Sequence, residues 1–510
     1  MVLELLRQYP GLQQERVGQA LRTNVAAPTG GLNTRDSLSQ MEATDAPEME
    51  NWFPSQGKVV TRKGYSVYAA GLNGNVETLA ELRDGTTKKF ICANSDEIND
   101  VTNPASISNL GSGFTNARWQ TVNMNGNLLL FNGADTPQVY DGSILNNSTI
   151  HGSGLTPSEL DGCNVHKNRL YVWSTDDSAF WYGSTNAIQG TFHKFDLAGI
   201  APYGGNLIAM ATWNHDGGDG VDDYALFILS SGTALLYDGS NPASANNWNL
   251  IGIYKIGEPL SVRSVAKVGG DVAIMTRPDF VFFSEVFKNG GAVTSQTKLS
   301  GAALDSANAY SSNYGWEVVL YPKASIGGWL FFNVPVATNT TYIQYGLNTI
   351  TGAGFEFSNM NARTWGLYDN NLYFGENGSI MKADDGLNDN GSNIPCTIQA
   401  AYSDLGSPQE KVVNEFRNVI NVDGNVVLNT TISFDYGSRA VTQDVSSVSS
   451  GTPWGSPWGS PWSPVSAIRN ELVVTSGEGV ALGMKIFVAL NGQQLSWYRT
   501  DYSVTVNNIL

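Results

Sequence analysis

The sequence predicts an all-β chain: an irregular β-propeller of about six blades followed by a C-terminal β-sandwich region. Three observations predict it. Glycine is abundant, at 55 of 510 residues, and aromatics reach 11%. Charged residues are only 15%, against a usual ~25%, and this balance suits short strands joined by tight turns. A strand–turn–strand pattern recurs up to residue 386, and past residue 395 it gives way to longer alternating strands. The chain is too long for one core, since single cores stop growing at roughly 250–300 residues. Its 41% hydrophobic content is enough for packed domains.

Residues 1–24 read as an N-terminal arm. Val2, Leu3, Leu5 and Leu6 offer one apolar stripe, and Pro10-Gly11 ends any helix there. A helix this short is unstable alone and needs a partner surface. Residues 25–75 form an irregular opening segment, punctuated by Pro28, Gly30, Gly31, Pro47, Pro54 and Gly57, with Trp52 and Phe53 as anchors.

Residues 76–386 are assigned to the propeller. Leu128-Leu129-Leu130-Phe131, a turn at Asn132-Gly133, and Val139-Tyr140 set the pattern. It returns at Leu170-Tyr171-Val172-Trp173, Leu226-Phe227-Ile228-Leu229, Val272-Ala273-Ile274-Met275, Trp329-Leu330-Phe331-Phe332 and Leu372-Tyr373-Phe374. Strand starts near 128, 170, 226, 272, 329 and 372 lie 42 to 57 residues apart, the spacing of propeller blades. One blade cannot cover both its apolar faces, so blades stack around an axis. An earlier hairpin from Thr78 to Thr102 completes or opens the ring. Residues 387–394 are a polar linker, and residues 395–510 a β-sandwich domain with a strong hairpin turn at Asn491-Gly492. Within it, a loop at 452–463 repeats Pro-Trp-Gly-Ser, and its prolines forbid a central strand. Trp454, Trp458 and Trp462 are candidates for a subunit or tip contact, ahead of membrane-interface insertion or stacking within the loop.

Net charge is −17 and pI about 4.6, which argues against a phosphate-gripping surface. It suits a surface that nucleic acid passes without sticking, or solubility alone. Cys92, Cys163 and Cys396 lack metal or disulfide spacing and read as buried free thiols. No signal-length apolar run and no membrane-length stretch occurs, so a soluble protein is expected. The run from Gly217 to Tyr224 fits one turn of a calcium repeat, with Asp216, Asp219 and Asp222 as the candidate ligands; a single copy reads more simply as an acidic loop. His151, His166, His193 and His215 have no ligand spacing, and no nucleophile or nucleotide motif is present. The expectation is a non-enzymatic chain without cofactor. The alternative is a propeller carbohydrate-binding protein or glycosidase, with carboxylates from different blades and Trp173, Trp181 and Trp213 stacking on sugar. Packing between blades explains those tryptophans equally.

The opening segment carries a resemblance. Gly30-Gly31-Leu32-Asn33, Arg35, Asp45-Ala46, Asn51-Trp52-Phe53-Pro54 and Arg62-Lys63-Gly64-Tyr65 resemble the opening motif of the tail nozzle proteins of short-tailed bacteriophages, also called tail tubular or packaged-DNA stabilisation proteins. Asp404-Leu405-Gly406, Lys411 to Arg417, Asp435-Tyr436-Gly437 and Gly483 to Tyr498 are looser likenesses. Residues 1–24 and the Pro-Trp loop depart from the pattern. The resemblance implies a structural virion protein of the tail, assembled in the host cytoplasm. It implies a homo-oligomeric ring, six copies in the family, below the portal and adaptor, with tail fibres or spikes attached around it and the host outer surface nearby. Double-stranded DNA would pass through without sequence-specific binding. An acidic lumen would repel phosphates over a Debye length of about 8 Å.

Overall fold

The computed structural model describes residues 20–506 except 86, 217–220, 291–296, 338–339, 424–425, 438, 448–465 and 470–471. Left-handed two-residue turns build the hairpins. Asn125 (φ 51°) and Gly126 (φ 74°) join the strands Gln120–Met124 and Asn127–Phe131. Lys167-Asn168 and Asp369-Asn370 make equivalent turns, in the positive-φ form whose twist matches the flanking strands.

These hairpins sit in seven blades, not six. Blade 1 contains the second half of a long strand, Tyr65–Asp84, with Thr87–Asn94, Glu97–Asp100 and Ser108–Ser112. Blade 2 runs from Gln120 to Asn147 and blade 3 from Gly162 to Asp196. Blade 4 comprises Leu207–Asp216, Val221–Leu229, Thr233–Gly239 and Trp248–Lys255. Blade 5 has three strands, ending at Phe280–Phe282, and passes directly into the short helix Phe283–Lys288. Blade 6 runs from Glu317 to Phe357, and blade 7 from Thr364 to Ala383. The first half of the long strand pairs with Asn377–Ala383, as Ala383↔Tyr65 and Ile380↔Ala69. One continuous strand therefore finishes blade 7 and begins blade 1, and this closes the ring. The innermost strands touch in order right round it. The Thr78 to Thr102 hairpin is the added blade.

The continuous apolar runs follow from burial on both faces. Leu128 and Leu130 pack against blade 1, while Leu129 and Phe131 pack against blade 3. Leu170 and Val172 face blade 2, and Tyr171 and Trp173 face blade 4. Each fully buried Leu or Phe contributes roughly 1.5–3 kcal/mol.

The C-terminal region is a two-sheet sandwich. In one sheet Lys411–Asp423 pairs with Leu495–Val506, and the strand Ala20–Ala26 and the pair Trp52–Ser55 and Lys58–Thr61 join it. The other sheet orders Ile394–Gln399, Leu482–Leu490, Val426–Phe434 and Arg439–Ser447. Phe416, Ile420, Trp497 and Val504 of the first meet Ile398, Ile432, Met484 and Ile486 of the second. The second sheet runs on into blade 6: the strand Glu48–Glu50 pairs with Ile394–Gln399 on one side and with Gly354–Phe357 on the other. Propeller and sandwich thus share one eleven-stranded sheet. Among the described residues no helix is long and apolar enough to cross a membrane.

Candidate functional site

Propellers place their chemistry on the axis, where the innermost strands begin. Here the axis is filled by arginine. Arg263, just before the first strand of blade 5, donates to Gln120 Oε1 (3.3 Å) and the Trp119 carbonyl (2.6 Å) of blade 2, and to the Glu77 carbonyl (3.2 Å) and Thr78 Oγ1 (3.1 Å) of blade 1. It also reaches Glu317 Oε1 (3.3 Å) of blade 6 and Thr364 Oγ1 (2.8 Å) of blade 7. One planar guanidinium fork ties five blades together. Arg118 adds bonds to the carbonyls of Arg363 (3.3 Å) and Trp316 (3.2 Å) and lies over the Tyr314 ring. Arg363 pairs with Glu77 Oε1 at 3.5 Å. Burial, and then the neighbouring Arg118, push Arg263 down to about 10, so it stays charged at neutral pH. Burial also raises the Glu77 carboxyl, against the pull of the three arginines.

Next to this cluster, blades 2 to 5 line a cavity of about 530 Å³. Gln120, Asn164, Met210, Thr212 and Val265 form part of its wall, with Lys167 and Lys267 also contributing. The two carboxylates at the axis, Glu77 and Glu317, are both held by arginine.

A second buried polar node lies where propeller and sandwich meet. Arg62 is buried and pairs bidentately with Asp389, at 2.8 and 2.7 Å. Its remaining donors reach Asn51 Oδ1 (2.7 Å), the Ser358 carbonyl (2.9 Å) and the Lys63 carbonyl (2.9 Å). Asn51 takes a left-handed conformation (φ 59°) and donates to Ser358 Oγ and the Pro395 carbonyl. Gly64 is required beside it, because a Cβ there would lie 1.7 Å from the Asn388 carbonyl oxygen. Gly30 likewise leaves room for Asp45, which accepts from Asn33 (2.7 Å) and Lys298 (2.8 Å). Residues of the opening motif are therefore the fittings of this joint. Within the expected linker, Asp389 is buried as the anion of the node.

The sequence-predicted site residues do not converge. Trp173, Trp181 and Trp213 are at most 3% exposed and lie between blades, each donating its indole N–H at 3.2 Å, to the Ile208 carbonyl, the Ser153 carbonyl and Asp271 Oδ1. Asp222 is exposed and faces His215 across a hairpin, while Asp219 and the side chain of Asp216 lie outside the described residues. Among the described residues no group of three or more His, Cys, Asp or Glu is arranged for a metal. Trp454, Trp458 and Trp462 lie outside the described residues, as does most of the 1–24 arm. Cys92 and Cys396 are buried free thiols, as read; Cys163 is partly buried. The axial arginines were not singled out in the sequence. They come from different blades, with no fixed spacing to mark them.

No family model and no curated protein matches the chain. Among solved structures it is similar to BBS1N in complex with ARL6DN, with 11% identity over 63% of this chain and 96% of that one, at a TM-score of 0.39. It is also similar to Raptor of Chaetomium thermophilum, with 9% identity over 64% of this chain and 30% of that one, at 0.38.

Proposed function

We propose that the chain is a structural subunit of a tail nozzle ring that extends the DNA exit channel below portal and adaptor, retains the packaged genome and lets it pass at ejection. The observation that carries this reading is the placement of the resemblance motif. Asn51, Arg62 and Gly64 build the joint that locks propeller to sandwich, which is the work of a load-transmitting part. The axis supports the same reading. Its carboxylates are bonded to arginine, and its arginines spend their donors on the protein itself. Because Arg263 ties the inner ends of five blades together, the conduit of this ring runs between subunits and not through any propeller. The acidic balance of −17 then keeps DNA moving, since a basic wall would hold it through counterion release.

Electron microscopy of the purified chain, alone and with a portal–adaptor complex, tests the reading. A ring with an open central lumen, docking coaxially, is expected. A chain that neither closes into rings nor binds the complex would overturn it.

A further inference from the structure

Open strand edges invite pairing with other chains, and folded proteins normally blunt them. The seven blades here do so to unequal degrees. The outer strand of blade 1 is bulged between Asn109 and Gly111, and that of blade 2 has only three residues. Blade 3 is partly covered by His151–Gly152, and blade 5 runs into a helix. Blade 6 is continued by Glu48–Glu50, and the outer strand of blade 7 is the ring-closing strand itself. Blade 4 has only a bulge, at Ile251, where its outer strand carries an extra residue between the partners of Leu236 and Tyr237. That outer strand, Trp248–Lys255, is still eight residues long, and among the described residues it pairs only with Thr233–Gly239. It exposes Leu250 (41%), Ile251 (47%) and Ile253 (41%), and Lys255 at its end is its one charge.

We propose that this edge receives the N-terminal segment, residues 1–19, of a second copy of the chain. Those residues lie outside the described structure and lead into Ala20–Ala26, which pairs with Leu495–Val506 in the sandwich. The sandwich is fused at blade 6, two places round the ring from blade 4. Nineteen residues reach up to about 60 Å when extended, enough to cross to a neighbouring molecule. Paired as a strand and not as a helix, the segment places Leu3 and Leu5 on one face and Val2 and Leu6 on the other, apolar cover for both sides of an edge that exposes Leu250, Ile251 and Ile253, while its backbone satisfies the open edge. Donor and acceptor surfaces differ, so the contact is heterologous and closes into a ring when the rotation permits. The inference rests on the ring proposed above and names the contact that makes it.

Two full-length variants and one peptide test it. Ile251→Lys with Ile253→Lys alters the receiving edge, and Leu5→Asp with Leu6→Asp alters the arm. Light scattering after size exclusion is expected to show an oligomer for the parent chain and monomers for both variants, with unchanged circular dichroism. A fluorescent peptide of residues 1–19 is expected to bind the Leu5→Asp/Leu6→Asp chain, with at least tenfold weaker binding to the Ile251→Lys/Ile253→Lys chain. Oligomers that persist in both variants overturn this contact while leaving the ring intact. A peptide that binds neither chain overturns it too. A parent chain that stays monomeric with its edge already occupied assigns the arm to its own molecule and overturns the second-copy contact; the ring is then judged by microscopy alone.

Discussion

Glu356 shows how a single residue can set the pH response of a large β protein. It stands beside Glu50 in the bridge that joins blade 6 to the sandwich sheet. Ser358 donates to Glu50 at 2.5 Å, and Lys485 pairs with Glu48. Burial first, then the charges of Glu50 and Glu48, push the Glu356 carboxyl up to about 8 from an ordinary value of 4.5. A carboxyl raised in the folded state keeps a proton that the unfolded chain has already lost. Stability is therefore expected to fall as pH rises from about 4.5 to about 8, and to level off above that. Glu356→Gln should flatten this part of the profile and raise the stability at pH 8, measured by denaturant unfolding across pH. An unaltered slope in the variant would assign the pH dependence to other groups. Arg263 illustrates the opposite case, a charge kept in the interior by saturating its donors. The order of residues gave no hint of either role, because each depends on partners brought from distant parts of the chain.

At the scale of elements, the blade hairpins were legible and the joint was only partly so. The strand starts expected near 128, 170, 226, 272, 329 and 372 fall on, or within a few residues of, the second strands of blades 2 to 7. Those strands are buried on both faces, so they carry the densest apolar runs. First and outer strands, exposed or polar on one side, gave weaker patterns, and blade 1 was seen only as an extra hairpin. The opening segment looked irregular because its strands are two to four residues long and lie against parts of the chain far away in sequence. Gly64 tests how tightly this joint is built. Gly64→Ala places a methyl group against the backbone at Asn388, a contact that flexible side chains cannot relieve. A loss of roughly 1–3 kcal/mol is expected in chemical denaturation. A variant as stable as the parent would show that the joint yields.

The whole molecule is a seven-bladed wheel welded to a sandwich by one shared sheet and one buried ion pair. Its largest hydrophobic cluster includes Phe332 of blade 6, Phe280 of blade 5 and Trp497 of the sandwich. With a core continuous across the boundary, the two parts are expected to unfold together. Calorimetry should show one transition, with calorimetric and van't Hoff enthalpies in agreement. Two resolved transitions would mean that the joint is weaker than its contacts suggest. A rigid joint matters for the proposed ring, because force applied to one part is then carried by the other.

The sequence by itself determined the all-β class, the blade-like repeat, the change of pattern near residue 390 and the motif that proved to be the joint. These are local properties: apolar runs, turn residues and glycines whose neighbours along the chain constrain them. Only the tertiary structure decided that there are seven blades, that one strand closes the ring and that Arg263 ties five blades together. Only it decided that propeller and sandwich share a sheet. Each of these depends on which distant segments meet, and pairing between distant strands is set by the packing of the whole core.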